Sequence, residues 1–425
     1  MSHIVAKSAY KSLEERLNRF PLGAAPTDTL YKILEMLFSE KEAQLVAQLP
    51  IKPFNIKKAA TIWRIPHYQA RKILDELASR CILVDIETKG DKYYVLPPPM
   101  AGFIEFSMMR LRGDLDQHML GELYHQYMNV EEDFIKDLFG GTETKLGRTF
   151  VNESVLSNDN SSYVLDYERA TQVIESASHI GISMCYCRHK KQHVNQACDA
   201  PMDICMTFNT VASSLIKNDY ARQVEVSECK ELLHLAYEEN LVQFGENVRD
   251  QVAFICNCCG CCCEALLAQK RFGYLHPVET SNFLPTCKED MCIGCGKCEK
   301  ACPVDMITMV KTEKGLLPVV NEDLCIGCGV CVRNCPNHSL SLKSREKRIL
   351  TPANSAHKTV LMAIEKGMLQ ELIFDNKALF SHRALAAILS SILNMSPVKR
   401  ALASDQMKSV YLDKLLSKKK RITAD

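Results

Sequence analysis

No stretch of the 425-residue chain approaches the ~18 consecutive apolar residues that a membrane-spanning helix needs; the best candidate, 385–393, is too short. A helical span is therefore not expected. Surplus charge is also scarce. The 52 Lys plus Arg stand against 51 Asp plus Glu, which leaves +1 and a pI near 7.4. That argues against an overall electrostatic footprint for nucleic acid, although charge can still be concentrated locally. The start Met1-Ser2-His3-Ile4 shows no basic-then-apolar leader, so a reducing, cytoplasmic setting is the expectation. Phosphate-cradling glycine loops of the Walker A or GxGxxG kind are missing, as are Gly-x-Ser-x-Gly and His-Glu-x-x-His. Their absence removes the usual signatures of nucleotide binding, serine hydrolysis and zinc proteolysis.

What the chain does have is 21 cysteines within a composition that is 47% hydrophobic, ample for two to four packed domains. In a long chain without a leader these thiols are expected to be reduced and committed to metal. The densest pattern is Cys292, Cys295, Cys298 and Cys302 followed by Pro303. It returns 33 residues later as Cys325, Cys328, Cys331 and Cys335 followed by Pro336. The flanks repeat too, Glu289-Asp290-Met291 against Glu322-Asp323-Leu324. A duplicated unit of this kind folds as two similar halves around one core.

Three cysteines two residues apart, with a fourth before proline, resemble the bacterial dicluster ferredoxin family. The resemblance covers about a tenth of the chain. It implies two [4Fe–4S] clusters with interleaved ligands: Cys292, Cys295, Cys298 and Cys335 on one, Cys325, Cys328, Cys331 and Cys302 on the other. Thiolate is the soft ligand such clusters require. Gly294, Gly296, Gly327 and Gly329 let the backbone turn N–H groups toward sulfur, and Ile293, Ile326, Val304, Val332 and Ile307 can shield the clusters from water. Two four-cysteine zinc sites are the competing reading.

A second cysteine-rich region holds Cys185-Tyr186-Cys187-Arg188, Cys198 and Cys205, then Cys256, Cys258, Cys259, Cys261, Cys262 and Cys263. In extended backbone, residues two apart point the same way, so Cys185 with Cys187 and Cys256 with Cys258 could each present two sulfurs to one object. One or two additional iron–sulfur clusters are expected here, with zinc or a redox-active thiol site as alternatives. One arrangement places Cys185, Cys187, Cys198 and Cys205 on one cluster and four of the later six on another. Mixed ligation is equally allowed. These tracts resemble stretches of multi-cluster 4Fe–4S proteins of anaerobes, which implies a low-oxygen setting. Arg188, Lys190, Lys191 and His193 could balance thiolate charge. His189 and His193 are read as ordinary residues rather than ligands, Cys81 and Cys229 as packed thiols, and Cys287 stays outside the clusters.

The fold expected is α+β and multidomain. Residues 1–26 read as an arm. Residues 27–100 form a winged-helix-like domain, with helices over 28–38, 56–63 and 67–80, a capping box at Ser39 and Glu42, and a hairpin of strands 82–86 and 93–96. That domain carries 11 Lys plus Arg against 9 Asp plus Glu, a net +2 that is weak for a phosphate-binding surface. Docking to protein is expected there, with DNA binding as the alternative. A helical and cysteine-rich α/β middle domain spans 101–280, including a helix over 103–127. The ferredoxin-like dicluster domain spans 281–345. A basic helical tail follows over 346–425, with helices over 360–373, 379–395 and 406–416. Residues 341–425 hold 16 Lys plus Arg against 7 Asp plus Glu, net +9, ending in Lys418-Lys419-Lys420-Arg421. The tail could pack on the body, dock an acidic redox partner, or touch an anionic membrane face. The function expected is one-electron relay between a donor and an acceptor enzyme. A redox-responsive transcription regulator and an iron–sulfur reductase with its site in the middle region are the alternatives.

Overall fold

In the computed structural model, residues 2–88, 90–156 and 164–374 are described. The expected helices over 379–395 and 406–416, the basic run 418–421, the polar run 157–160 and hairpin residue 89 lie outside them.

The N-terminal body begins with α1 (Ser2–Leu17), which is no free arm. Leu13 and Leu17 are buried in the main core, and the Arg16 guanidinium donates to the carbonyls of Leu49 and Pro50 at 2.6 and 2.5 Å. Next come α2 (Asp28–Leu37), capped by Thr27, and α3 (Glu40–Val46), whose Ser39–Glu42 capping box is formed in both directions. A short β1 (Phe54–Asn55) leads into α4 (Ile56–Trp63) and α5 (His67–Ser79). Strands β2 (Val84–Thr88) and β3 (Asp91–Val95) complete an antiparallel sheet in the order β1-β3-β2. The third strand, β1, was too short for any alternation to announce it.

The expected helix over 103–127 is broken. Met100–Ile104 is an irregular turn, and a regular helix, α6 (Gln117–His125), starts only after Asp116, whose side chain accepts from the Met119 N–H. The break falls at Arg110-Leu111-Arg112-Gly113, where Leu111 of the supposed apolar stripe points to solvent. The aromatics Phe103, Phe106, Tyr124 and Tyr127 are core residues as expected. Beyond α7 (Asp133–Gly140) and β4 (Gly147–Thr149) come α8 (Ala170–Ser176), β5 (Ile180–Met184) and α9 (Tyr186–His193). They are followed by β6 (Asp203–Phe208), α10 (Asn209–Lys217), β7 (Arg222–Gln223), α11 (Val226–Glu238), β8 (Val242–Glu246), β9 (Phe254–Cys258) and α12 (Glu264–Phe272). The strands make one antiparallel six-stranded sheet in the order β4-β8-β9-β6-β5-β7. Its central strands, β9 and β6, both carry cysteines.

The repeat folds as two small antiparallel pairs. Strand β10 (Phe283–Cys287) joins β13 (Leu340–Ser344), and β11 (Ile307–Thr312) joins β12 (Gly315–Val320). Each half has one short helix, α13 (Lys297–Ala301) or α14 (Val330–Arg333). Gly327 must be glycine: its φ is +68°, and a β-carbon there would lie 2.3 Å from the Phe283 carbonyl oxygen. The chain then runs through α15 (Ser355–Glu365) and α16 (Leu369–Ile373), two helices where one was expected over 360–373, divided at Gly367 with φ +68°. One buried core runs from α1 through the middle cysteines to Val304, Ile326 and Val330 of the repeat. Asp85 ties β2 to α10, accepting from the Ser214 hydroxyl at 2.6 Å and pairing with Lys217 at 2.9 Å.

Candidate metal centre

The sheet register brings the distant cysteine tracts together. Strands β6 and β9 pair with Met206 opposite Ile255, and one step further along the antiparallel ladder Cys205 faces Cys256. Strand β5 delivers Cys185 to the same end. There Cys185 caps α9, so Cys187 sits in the first helical turn and not in the extended backbone expected for it. Cys256 and Cys258, on β9, do have the extended arrangement.

Six sulfurs close a ring: Cys185, Cys187, Cys263, Cys258, Cys256 and Cys205, each interacting with the one before and the one after. They line one small cavity of about 40 Å³. The direction of the pKa shift alternates around it. Hydrogen bonds from neighbouring thiols hold Cys185 well below the usual thiol range, bring Cys256 down to about 5 and Cys263 to about 6. Burial first, then donation to those neighbours, pushes Cys187 up; for Cys205 and Cys258 donation leads and burial adds.

The other four middle cysteines form a separate, tighter group. Cys198, from the loop after α9, meets Cys259, Cys261 and Cys262 from the turn after β9, and all four Sγ atoms lie within 4.8 Å of one another. The arrangement that put Cys198 with Cys185, Cys187 and Cys205 is therefore not the one found. The tracts interleave as six and four, because the β6–β9 pairing takes Cys205 to β9 while the loop carries Cys198 past it.

Between the two groups lies Arg188, wholly buried on α9. Two of its nitrogens donate to the carbonyls of Pro201 and Asn257, both at 2.9 Å, while its Nε has no partner. Against the cost of burial, Cys185, Cys259, Cys205 and Cys258 hold its pKa high. A buried cation with an unspent donor, facing sulfurs of both groups, fits an anionic metal–sulfur assembly.

The other basic residues of α9 are used differently. Lys190 is paired with Glu264 and donates to Asn129 at 2.7 Å, and Asn129 in turn donates to Glu264 at 2.8 Å. This buried triad joins the helix that follows Cys185 to the one that follows Cys263. Lys191 donates to Gln196 at 2.9 Å. The ring nitrogen Nδ1 of His189 bonds the Met108 carbonyl at 2.8 Å, and His193 meets His189 at 3.2 Å. Neither histidine reaches the sulfurs' tight group.

In the repeat, Cys292, Cys295, Cys298 and Cys335 line one small cavity of about 20 Å³. Cys302 interacts electrostatically with Cys325, Cys328 and Cys331. Cys287 lies against Cys292, its thiol pushed up to about 11 by burial and by that neighbour. Cys81 and Cys229 are buried apart from every site, with burial raising Cys229 to about 12.

Residues 285–342 match the 4Fe-4S dicluster domain. No curated protein and no solved structure matches the chain. The match supports a ferredoxin-type dicluster domain and iron–sulfur binding in this segment. At the turn after β9, a β-carbon on Gly260 would lie 2.1 Å from the carbonyl oxygen of Pro303, the residue after Cys302. The middle turn therefore touches the dicluster domain backbone to backbone, and Lys270–Asp305 at 3.0 Å braces the contact.

One residue that the sequence reading passed over is Glu105. It borders both the ring cavity and a larger apolar cavity of about 420 Å³. Its carboxyl has no hydrogen-bond or ion-pair partner among the described residues; burial pushes its pKa well up, and Cys256, Cys263 and Cys185 add to that. The only signal was a carboxylate set between Ile104 and Phe106. Among the described residues no helix is long and apolar enough to cross a membrane.

Proposed function

We propose that the protein is a cytoplasmic iron–sulfur electron relay serving redox partner enzymes. In this reading Cys292, Cys295, Cys298 and Cys335 hold one [4Fe–4S] cluster, Cys325, Cys328, Cys331 and Cys302 hold the second, and the six-sulfur ring holds a further iron–sulfur cluster. Bound there, such clusters would exchange single electrons at potentials set by charge, hydrogen bonding and exposure. The observation that carries the reading is the Gly260–Pro303 contact, which sets the turn bearing Cys259 and Cys261 against the backbone next to Cys302. Ile293 and Cys295 are exposed and give the first cluster a face for a donor, whereas the ring is enclosed. The winged-helix-like N-terminal body suits protein docking better than DNA, since Lys92 is committed to Asp75 and Asp85 at 2.6 and 3.3 Å.

Iron and acid-labile sulfide per chain after anoxic purification test this. With four irons per cluster, about 12 are expected from the dicluster domain and the ring. About 8 would confine iron to the dicluster domain, and a colourless protein, or one holding zinc alone, would end the proposal.

A second reading, an iron–sulfur reductase, is favoured by one observation. The apolar cavity is walled at its inner end by Cys205, Cys256 and Glu105, and reaches solvent near the exposed Thr210 and Ser355. Its volume of about 420 Å³ falls within the ~300–1,000 Å³ usual for a small-molecule site. Saturable binding of a small apolar probe such as naphthalene, perturbing the ring's visible spectrum and abolished by Val211→Trp, would favour it. No such binding leaves the carrier reading alone.

A further inference from the structure

The four middle cysteines outside the ring differ in geometry from every other cysteine set in the protein. Cys198 Sγ lies 3.5 Å from Cys259 Sγ and 3.9 Å from Cys262 Sγ, and Cys261 Sγ lies 3.7 Å from Cys262 Sγ. Four thiolates bound to one ion at about 2.3 Å form a tetrahedron whose edge is about 3.8 Å. The observed separations bracket that edge. They are far longer than the ~2.05 Å of a disulfide bond.

A cube has a different requirement. Each of its thiolates sits on its own iron at a separate corner, so its sulfurs must stand further apart than those sharing one ion. The protein supplies its own comparison. Among the described residues, Cys198, Cys259, Cys261 and Cys262 form the only group with three or more ligand atoms mutually within 4.8 Å. The nine cysteines of the segment that matches the dicluster domain do not draw together in this way, and neither do the six of the ring.

We propose that Cys198, Cys259, Cys261 and Cys262 bind a single divalent ion of the zinc–ferrous class in an all-thiolate tetrahedron, not a cube. The ligand set is closed, with four thiolates and no position left over for substrate, which is the pattern of structural sites. Its place in the fold gives the ion a task. It joins the loop after α9 to the turn after β9, segments 61 residues apart. Arg188 ties the same two segments through Pro201 and Asn257. The turn so held carries Gly260, so the ion fixes the seam on which the dicluster domain rests. The relay reading depends on that seam, but the ion's identity does not depend on the relay.

Metal and acid-labile sulfide analysis of the anoxically purified full chain, with native mass spectrometry, tests the proposal. The expected result is one ion per chain without matching sulfide. Zinc would appear as zinc, and ferrous iron as one iron in excess over sulfide. Cys261→Ser, at the exposed ligand, should lose or weaken that ion while the remaining iron and sulfide stay at wild-type ratio. If this variant does not fold, the wild-type metal-to-sulfide balance still decides. Loss of four irons together with four sulfides in Cys261→Ser overturns the proposal, as does a Cys198–Cys259 disulfide with no ion in the wild type. A protein with this ion but no ring cluster would sink the relay and leave the site standing.

Discussion

Replacing Arg188 by methionine removes the buried cation of α9 that faces the sulfurs, and two effects follow. The first concerns stability. The carbonyls of Pro201 and Asn257 lose donors at 2.9 Å, and a buried acceptor left unpaired costs about 1–3 kcal/mol each. The second is electrostatic. The guanidinium faces Cys185, Cys205 and Cys258 of the ring. A unit charge 4–8 Å from the added electron, at an effective dielectric near 20, is worth about 2–4 kcal/mol, or about 80–170 mV for one electron. Reduction adds negative charge, so losing the cation must lower the ring's potential. Arg188→Lys keeps the charge but not the two-pronged donor geometry, and should recover most of the potential with less of the stability. Spin-resonance-monitored redox titration separates the centres. The dicluster potentials should hold still, because no dicluster cysteine is among the sulfurs that hold the Arg188 pKa high. An unchanged ring potential in Arg188→Met, or an equal shift in the dicluster domain, would refute the placement of this charge.

Other residues give independent checks. Glu264→Gln leaves Lys190 buried without a counter-charge and should cost about 3–5 kcal/mol in chemical denaturation, whereas Lys190→Met with Glu264→Leu should recover most of it. Asp85→Asn should lose about 1.5–3 kcal/mol of the charged hydrogen bonding that joins β2 to α10, read by the fluorescence of the chain's single tryptophan, Trp63. Burial raises the Asp85 pKa, but bonds from Ser214, Lys217 and Lys92 outweigh it and hold the folded value low. That stabilisation is therefore complete above the unfolded value of about 3.9 and is lost as pH falls through the folded one, so wild type and Asp85→Asn should converge in acid. Gly260→Val must push the turn off Pro303. Iron content should persist while electron exchange between the dicluster domain and the ring slows; exchange at the wild-type rate would show that electrons take another route.

The repeat was legible because its chemistry is local. Ligands two or three residues apart, with proline behind them, announce the site without any knowledge of the fold. The helix caps at Thr27 and Ser39 were legible for the same reason, each being an interaction across three residues. The six-and-four division of the middle cysteines was not. It depends on which strand lies beside β9, and a register is a property of the sheet that spacing along the chain does not encode. Treating Cys185 and Cys187 as extended failed because Cys185 caps a helix, a fact set by β5 ending there. The helix over 103–127 failed because apolar residues at helical intervals continued across Gly113 while the backbone did not.

Helix α9 offers the severest test of the metal reading. Its sequence, Tyr-Cys-Arg-His-Lys-Lys-Gln-His, reads as a solvated surface helix, yet Arg188, His189, Lys190 and Lys191 are all buried. Burying cations is costly unless opposite charge is supplied in place. Glu264 answers for Lys190 alone. Lys191 bonds the neutral Gln196 and, at 3.5 Å, the His125 ring, and burial and the Lys190 charge lower its pKa. For Arg188 the charges that hold its pKa high are those of sulfurs, and a bound metal draws the remaining protons off such thiols. The fold of this region should therefore be linked to metal binding. Stripping metal with a chelator under anoxia should expose the amides of 185–193 and 256–263 to hydrogen exchange, while those of 28–79, in the N-terminal helices, stay protected. Unchanged protection across the cysteine tracts in the stripped protein would mean that α9 is held by something other than the charge of its metal centre.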